Sequence, residues 1–335
     1  MAEILFVENS RSRRGRSTAA RLDIALARLA REREIRRVGV AELEGESPPS
    51  DRVIACGGDG TVNAVVTWLW LRGREIPIGI VPAGTGNNLA AGLGLPRKAV
   101  DALAVAVESS RTVAIDAVSY RAVGEVRREC DDGRPLESRR LFIQSAALGF
   151  PADVARRFGA LRERRAFRAL NRVLGPGTYA LLALDGVMRA RWREWRGEPP
   201  LEARVEIGTT LHETRTLAIF LGNEPTLGGG FLPCPKAVVD DGKVDLCIVE
   251  AGAGLPYLSL LRRVSRGTHI DLQRGVRYLQ SPGPLTIRFS RSTPFLADGD
   301  LWARSDAWEI EVLPQAVSLI VSDEDELAGE RKGSP

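Results

Sequence analysis

The segment Cys56-Gly57-Gly58-Asp59-Gly60-Thr61-Val62-Asn63 constrains this chain more tightly than any other. The apolar run Val53-Ile54-Ala55-Cys56 ends on its glycines, and Val62, Val65, Val66 and Leu69 follow at the spacing of one helix face. A buried strand therefore turns through glycines into a helix. Glycine lets the backbone come close to a ligand, and the unpaired N–H groups of a helix start favour phosphate. Asp59 cannot cradle a phosphate itself, so its expected task is to hold Mg2+ or its waters. Thr61 and Asn63 add polar side chains. A second segment repeats the design: Pro82-Ala83-Gly84-Thr85-Gly86-Asn87-Asn88 follows an apolar run at 76–81 and opens another helix. Neighbouring parallel strands would set the two loops side by side, outside the carboxyl ends of the strands, where open α/β sheets bind ligands. The competing readings are a tight glycine turn without a ligand, and a plain helix cap by Thr85 or Asn87.

Strand and helix alternate through the first hundred residues, which predicts a parallel sheet covered on both faces. From about Ala114 the texture changes to short strand-like runs at 113–120, 141–147, 203–207, 217–221, 244–249, 285–289 and 308–313. Turn-rich stretches such as Asp240-Asp241-Gly242 separate many of them. The expectation is an α/β domain over 1–113 and an antiparallel sandwich or barrel over 114–313. A helical, arginine-rich insertion spans 154–196, and a polar, disordered tail is expected at 323–335. A chain of 335 residues with 44% hydrophobic residues has room for both cores.

The two loops resemble those of the diacylglycerol kinase and sphingosine kinase superfamily, in particular its soluble bacterial lipid kinases, and the resemblance runs over roughly residues 3 to 321. It includes an opening loop, where Asn9, Ser12 and Gly15 match while Ser10 and Arg13 depart from the usual proline and glycine. The loop at 57–63 and Gly84-Thr85-Gly86-Asn87 match closely. Leu148-Gly149-Phe150, Gly222-Asn223, Gly228-Gly229-Gly230, Pro233, Pro235, Ala237 and Asp240-Asp241-Gly242 with Asp245 continue it. The resemblance implies an NAD-kinase-like three-layer α/β nucleotide domain followed by a β-sandwich domain, with a strand at 314–322 returning to the first domain. It implies ATP over Asn9, Ser12, Gly57, Gly58, Asp59, Gly60, Thr61, Asn63, Gly84 and Thr85. It also implies a structural Mg2+ held by Asp240, the backbone carbonyl of Lys243, and Asp245. Without the resemblance, that acidic turn reads as a plain Asp-Gly hairpin.

The superfamily's base is the glutamate of an Asp-Gly-Glu motif. Here the motif is Asp298-Gly299-Asp300, so the resemblance assigns the base to Asp300, on a side chain one methylene shorter. Ala64 and Asn88 also stand where the family carries acids. These departures keep open a second reading, a non-catalytic nucleotide- or lipid-binding regulator of the same fold. NAD kinase shares the first loop and is the third reading, opposed by the run from Gly222 to Asp245.

Between Arg156 and Arg196 there are eleven arginines against three acids, interleaved with apolar residues and bounded by Trp192 and Trp195. A basic amphipathic surface of this kind suits anionic headgroups; a solvated helix face over an ordinary core is the plainer reading. No recognition motif points to nucleic acid. The net charge is +4. Four widely spaced cysteines exclude a zinc site of paired cysteines and fit a reduced, cytoplasmic chain. No apolar run reaches the ~18 residues of a membrane span. A lipid substrate would then be met peripherally, at the inner membrane surface, and the resemblance implies a homodimer. His212 and His269 are expected to be incidental.

Overall fold

The computed structural model describes residues 3–9, 16–31, 33–84, 86–129, 135, 138–162, 186, 188, 189, 192, 196–227, 231–252, 257–272 and 274–323. The chain divides into two compact units, Met1–Ile115 with Gln315–Pro335, and Asp116–Pro314.

In the first unit the elements alternate: β1 (Glu3–Glu8), α1 (Arg16–Leu29), β2 (Glu34–Gly39), β3 (Arg52–Gly57), α2 (Asp59–Trp70), β4 (Ile78–Pro82), α3 (Asn88–Gly92) and α4 (Ala99–Glu108). The strands lie in the parallel order β4-β3-β1-β2. Ile4, Phe6, Ile54, Cys56 and Val81 pack under Leu22 and Leu26 of α1 and Leu103 and Val107 of α4. The alternate set, Leu5, Val7, Val53 and Ala55, is equally buried. Burial on both faces is why these strands read as unbroken apolar runs. β2 was not legible in that way. It is an edge strand whose arginines pair outward: Arg36 with Glu3 and Glu46, Arg37 with Glu8 and Asp23.

The second unit contains most of β5 (Thr112–Ala122), β6 (Arg127–Arg128), β7 (Arg140–Phe142), β8 (Ser145–Gly149), α5 (Phe150–Arg162), β9 (Leu201–Ile207), β10 (Thr210–Gly222), β11 (Val244–Glu250), α6 (Tyr257–Val264), β12 (Val276–Ser281), β13 (Leu285–Ala297) and most of β14 (Asp300–Ile320). The strands run antiparallel in the order β12-β11-β10-β8-β13-β14, and β9 pairs with both β10 and β13. Together they form an all-β sandwich. Its core gathers Val118, Leu148, Val205, Ile219, Leu246 and Ile287 around stacked aromatics. Tyr120 lies parallel to Phe295 with centroids 4.3 Å apart, and Phe295 meets Trp308 at 4.7 Å.

Two expectations need correction here, and one strand went unread. The run at 141–147 is two strands, broken at Ile143-Gln144. The strand expected at 308–313 is the middle of β14, which is 21 residues long. β12 went unread because its residues alternate between charged or polar and apolar only partly. The end of β14 belongs to the first unit, where Leu319 pairs in parallel with Ile78 of β4. Residues 324–335 lie outside the described residues, as does most of the basic insertion.

Candidate active site

In the first unit β3 delivers Gly57 and α2 begins at Asp59, with Gly58 as its N-cap residue in an extended conformation. Glycine at 57 is compelled, since a Cβ there would stand 2.1 Å from the Thr61 hydroxyl oxygen. β4 lies beside β3 in parallel with Pro82 opposite Gly57, so the second loop starts next to the first. The amides of Ala83 and Gly84 donate to the Gly57 carbonyl at 2.8 and 3.1 Å. A Cβ on Gly84 would fall 2.3 Å from Gly58 Cα. The two loops therefore touch backbone to backbone, which demands glycine at 84 and leaves a Cβ at 58 only a tight 3.2 Å from Gly84 Cα.

Side chains complete the lock. Both Asp59 carboxylate oxygens accept backbone amides of the second loop, from Asn88 at 3.2 Å and Leu89 at 3.3 Å. Asp59 thus caps α3 from a distance in sequence that no local pattern reveals. Asn87 adopts a left-handed conformation (φ 55°) and exchanges two hydrogen bonds with the backbone of Gly84. Asn9 Nδ2 donates to Thr61 Oγ1 at 3.4 Å, bringing the end of β1 to the same place. The structure therefore gathers Asn9, Gly57, Gly58, Asp59, Thr61 and Gly84. Gly60 is exposed, with open space where a Cβ would stand. Asn63 instead points along its helix, accepting from the Thr67 hydroxyl at 3.1 Å. Ser12 and Thr85 lie outside the described residues.

In the second unit Ala297 pairs with Asp300, and Asp298 and Gly299 form the two-residue turn between them with φ 46° and 91°. Positive φ at both positions is the hairpin geometry that Asp-Gly favours. Asp300 opens β14 and is exposed. Asp298 is anchored: its carboxylate accepts the backbone amides of Ile143 (2.9 Å), Gln144 (3.1 Å) and Ser145 (3.0 Å). Those amides occupy the break between β7 and β8 and the first residue of β8. Asn223, fully buried, holds the same segment from another side, donating to the Ile143 and Asp116 carbonyls at 2.9 Å each.

The acidic turn sets its two expected carboxylate ligands in unlike surroundings. Asp240 is exposed, whereas Asp245 is buried on β11. Asp245 Oδ1 accepts from Gln280 Nε2 at 3.1 Å. Its Oδ2 is buried without a hydrogen bond of good geometry, although the Tyr278 hydroxyl acts on the same carboxylate. Burial pushes the Asp245 carboxyl above the usual carboxylate range, against the opposing pull of Tyr278 and Gln280. Asp116, missed by sequence reasoning, is fully buried and accepts the Gly242 amide at 2.6 Å. An acid inside the apolar strand run at 113–120 was the available signal. Among the described residues no group of three or more His, Cys, Asp or Glu is arranged to hold a metal. The buried, unsatisfied oxygen of Asp245 is nevertheless a position that a cation would satisfy.

Cys56, Cys234 and Cys247 are buried free thiols, and burial pushes Cys247 up to about 12, so thiolate chemistry has no footing there. His269 is buried, with Nε2 2.9 Å from the Pro233 carbonyl, and desolvation lowers its pKa. In the basic insertion, Met188 and Trp192 are exposed, and the Arg196 guanidinium stacks over Trp192 at 4.6 Å.

Comparison with known proteins agrees with this arrangement. A family model described as the diacylglycerol kinase catalytic domain matches residues 12–120. One described as the YegS C-terminal NAD kinase beta sandwich-like domain matches residues 162–321. A diacylglycerol kinase of Mycobacterium tuberculosis is 32% identical over 279 residues, which is 81% of this chain and 77% of that protein. A crystal structure of a diacylglycerol kinase from Bacillus anthracis superposes with a TM-score of 0.62 at 14% identity, over 96% of this chain and 97% of that one. Yeast NADH kinase complexed with NADH gives 0.51 at 10% identity, over 100% of this chain and 89% of that one. At such identities the last two show a shared fold.

Proposed function

We propose that this chain, which belongs to the diacylglycerol kinase family and is a lipid kinase, takes ATP with Mg2+ at its glycine loops and phosphorylates a diacylglycerol-like or sphingoid-like hydroxyl. The observation that carries the ATP reading is the backbone contact between Gly58 and Gly84. It leaves the two loop–helix junctions side by side; the first amides of α3 are taken by Asp59, so the start of α2 is the junction that would receive phosphate oxygens. In the step itself the lipid hydroxyl oxygen attacks the γ-phosphorus, the bond to the β-phosphate oxygen breaks, and ADP leaves. Asp300 orients the hydroxyl and accepts its proton. Mg2+ supplies charge neutralisation on the phosphates when bound. No described helix is long and apolar enough to cross a membrane.

The test is transfer of labelled γ-phosphate from ATP, with Mg2+, to a panel of lipids in mixed micelles, with NAD as a soluble competitor acceptor. A labelled lipid that disappears in Asp59→Ala and Asp300→Ala supports the proposal and names the acceptor class. ATP binding without any lipid product would favour the regulator reading, which the shortened Asp300 motivates.

A structural cation at Asp245, with Asp240 and the Lys243 carbonyl, is part of the same proposal. The folded-state pKa of Asp245 is raised, so its contribution to stability is present below the unfolded carboxylate value and is lost as pH rises through the folded one. At neutral pH in chelator, Asp245→Asn should therefore raise Tm. Adding Mg2+ should raise Tm of the parent and leave the variant unmoved. Equal Mg2+ shifts in both would remove Asp245 from the metal set.

A further inference from the structure

A groove of about 770 Å³ on the first unit runs between α1 and the start of α4, beside the second glycine loop. Arg21 and Arg28 line it from α1, Arg97 and Lys98 from the approach to α4, and Asp101 is its one acid. All four cations are exposed. None of them makes an ion pair or hydrogen bond among the described residues. That sets them apart from Arg33, Arg36, Arg37 and Arg72 of the same unit, each paired with a carboxylate. The smaller basic cavity of the second unit is also different, because there Arg156 meets Asp153 and Arg304 meets Glu129. Four like charges with a single acid, Asp101, among them repel one another in the free protein, and a bound anionic surface would relieve this. Ile24 stands between Arg21 and Arg28 on the same helix face and is 58% exposed. A bulky apolar side chain flanked by arginines is what an interfacial surface presents to lipid.

We propose that this face docks on an anionic phospholipid bilayer, with headgroup phosphates taken by Arg21, Arg28, Arg97 and Lys98 and Ile24 entering the headgroup layer. The proposal rests on the lipid kinase reading and adds where the chain meets the membrane that holds its acceptor. Charge complementarity selects the occupant. A juxtamembrane cation gains about fivefold in partition from an anionic leaflet, so several together give usable adhesion without a spanning segment. None of the four belongs to the residues assigned above to ATP or to phosphoryl transfer.

The experiment is flotation of the full chain with phosphatidylcholine vesicles, with and without phosphatidylglycerol. Binding is expected only with phosphatidylglycerol, and should weaken as salt rises. Replacing Arg21, Arg28, Arg97 and Lys98 together with alanine should cut partition at least about tenfold. A version carrying lysine at the three arginine positions should retain binding, which separates charge from misfolding. In neutral-detergent micelles the alanine variant should keep the parent kcat and the parent KM for ATP. Parent-like partition by the alanine variant would overturn the proposal, and so would a raised KM for ATP, which would return the groove to the nucleotide. Displacement of the parent from vesicles by inorganic phosphate at matched ionic strength would also overturn it, in favour of a soluble anion. Absence of any phosphorylated lipid in the neutral micelles would sink the kinase reading separately, whatever the vesicles show.

Discussion

Asp300→Asn is expected to lower kcat for lipid phosphorylation by about 10²–10⁴-fold, the usual worth of a positioned general base, with little change in KM for ATP or in Tm. The stability half of that expectation follows from exposure: Asp300 sits at the mouth of a two-residue hairpin, and its substitution empties no core. The activity half follows from what the hairpin does. Positive φ at Asp298 and Gly299 fixes the turn, and the Ala297–Asp300 pairing fixes the first residue after it. The carboxylate is thus presented on rigid backbone. Asp300→Glu is a sharper probe. If the acceptor is seated for aspartate, the added methylene misplaces the oxygen by more than about 1 Å and costs roughly 10²-fold. If activity rises instead, the acceptor is still seated for the glutamate usual in this superfamily, and the natural chain is a handicapped enzyme. Parallel measurement of kcat, KM and Tm for both variants distinguishes these outcomes, and an unchanged kcat in Asp300→Asn would remove Asp300 from the chemistry.

Both glycine loops were legible in the sequence because a close backbone approach is recorded in residue type, as glycine. Gly57 must be glycine because Thr61 occupies the space of a Cβ, and Gly84 because Gly58 does. β1, β3 and β4 were legible because burial on both faces leaves an apolar run. What could not be read were the tasks of the acids. Asp59 and Asp298 stand in motifs, so their presence was informative, and Asp59 was expected at a metal. The structure gives each of them backbone amides as partners, 29 and 30 residues away for Asp59 and 153 to 155 residues away for Asp298. An amide is common to every residue except proline, so such a partner leaves no mark in residue type. The same blindness split the run at 141–147: Ile143 and Gln144 look like strand, but their N–H groups are spent on Asp298 rather than on a neighbouring strand. β2 and the full reach of β14 were lost for another reason. Edge position and strand length are set by tertiary packing, and ion pairs on Arg36 and Arg37 masked the alternation.

Asp298→Ala should combine the largest loss of stability with a loss of activity, although Asp298 is not assigned any contact with substrate. Its carboxylate takes three backbone amides whose residues, Ile143, Gln144 and Ser145, are all buried. Removing the acceptor leaves those donors unpaired, at about 1–3 kcal/mol each before water enters. A net cost of about 3 kcal/mol corresponds to a fall in Tm of roughly 6–12 °C for a unit of this size. Asp298→Asn should fall between parent and alanine. Its single carbonyl oxygen can still serve Gln144 and Ser145, while its NH2 group would face the Ile143 amide donor to donor. The loss of activity is expected because Asp300 is two residues along the same turn and the anchor on the other side does not yield. Asn223 holds the Ile143 carbonyl, and its own amide donates to Gln144. The 143–145 segment therefore stays in place when the Asp298 carboxylate is lost, and the hairpin tip, held there now by the Asp298 amide on the Ser145 carbonyl at 2.9 Å, takes up the slack. A drift of about 1 Å at Asp300 is enough to lose roughly 10²-fold in kcat. Assayed well below Tm, both Asp298 variants should lose kcat in the order Ala then Asn, with KM for ATP unchanged. A fall in Tm with parent kcat would mean that the hairpin keeps its geometry without the anchor, and that Asp298 serves the fold alone.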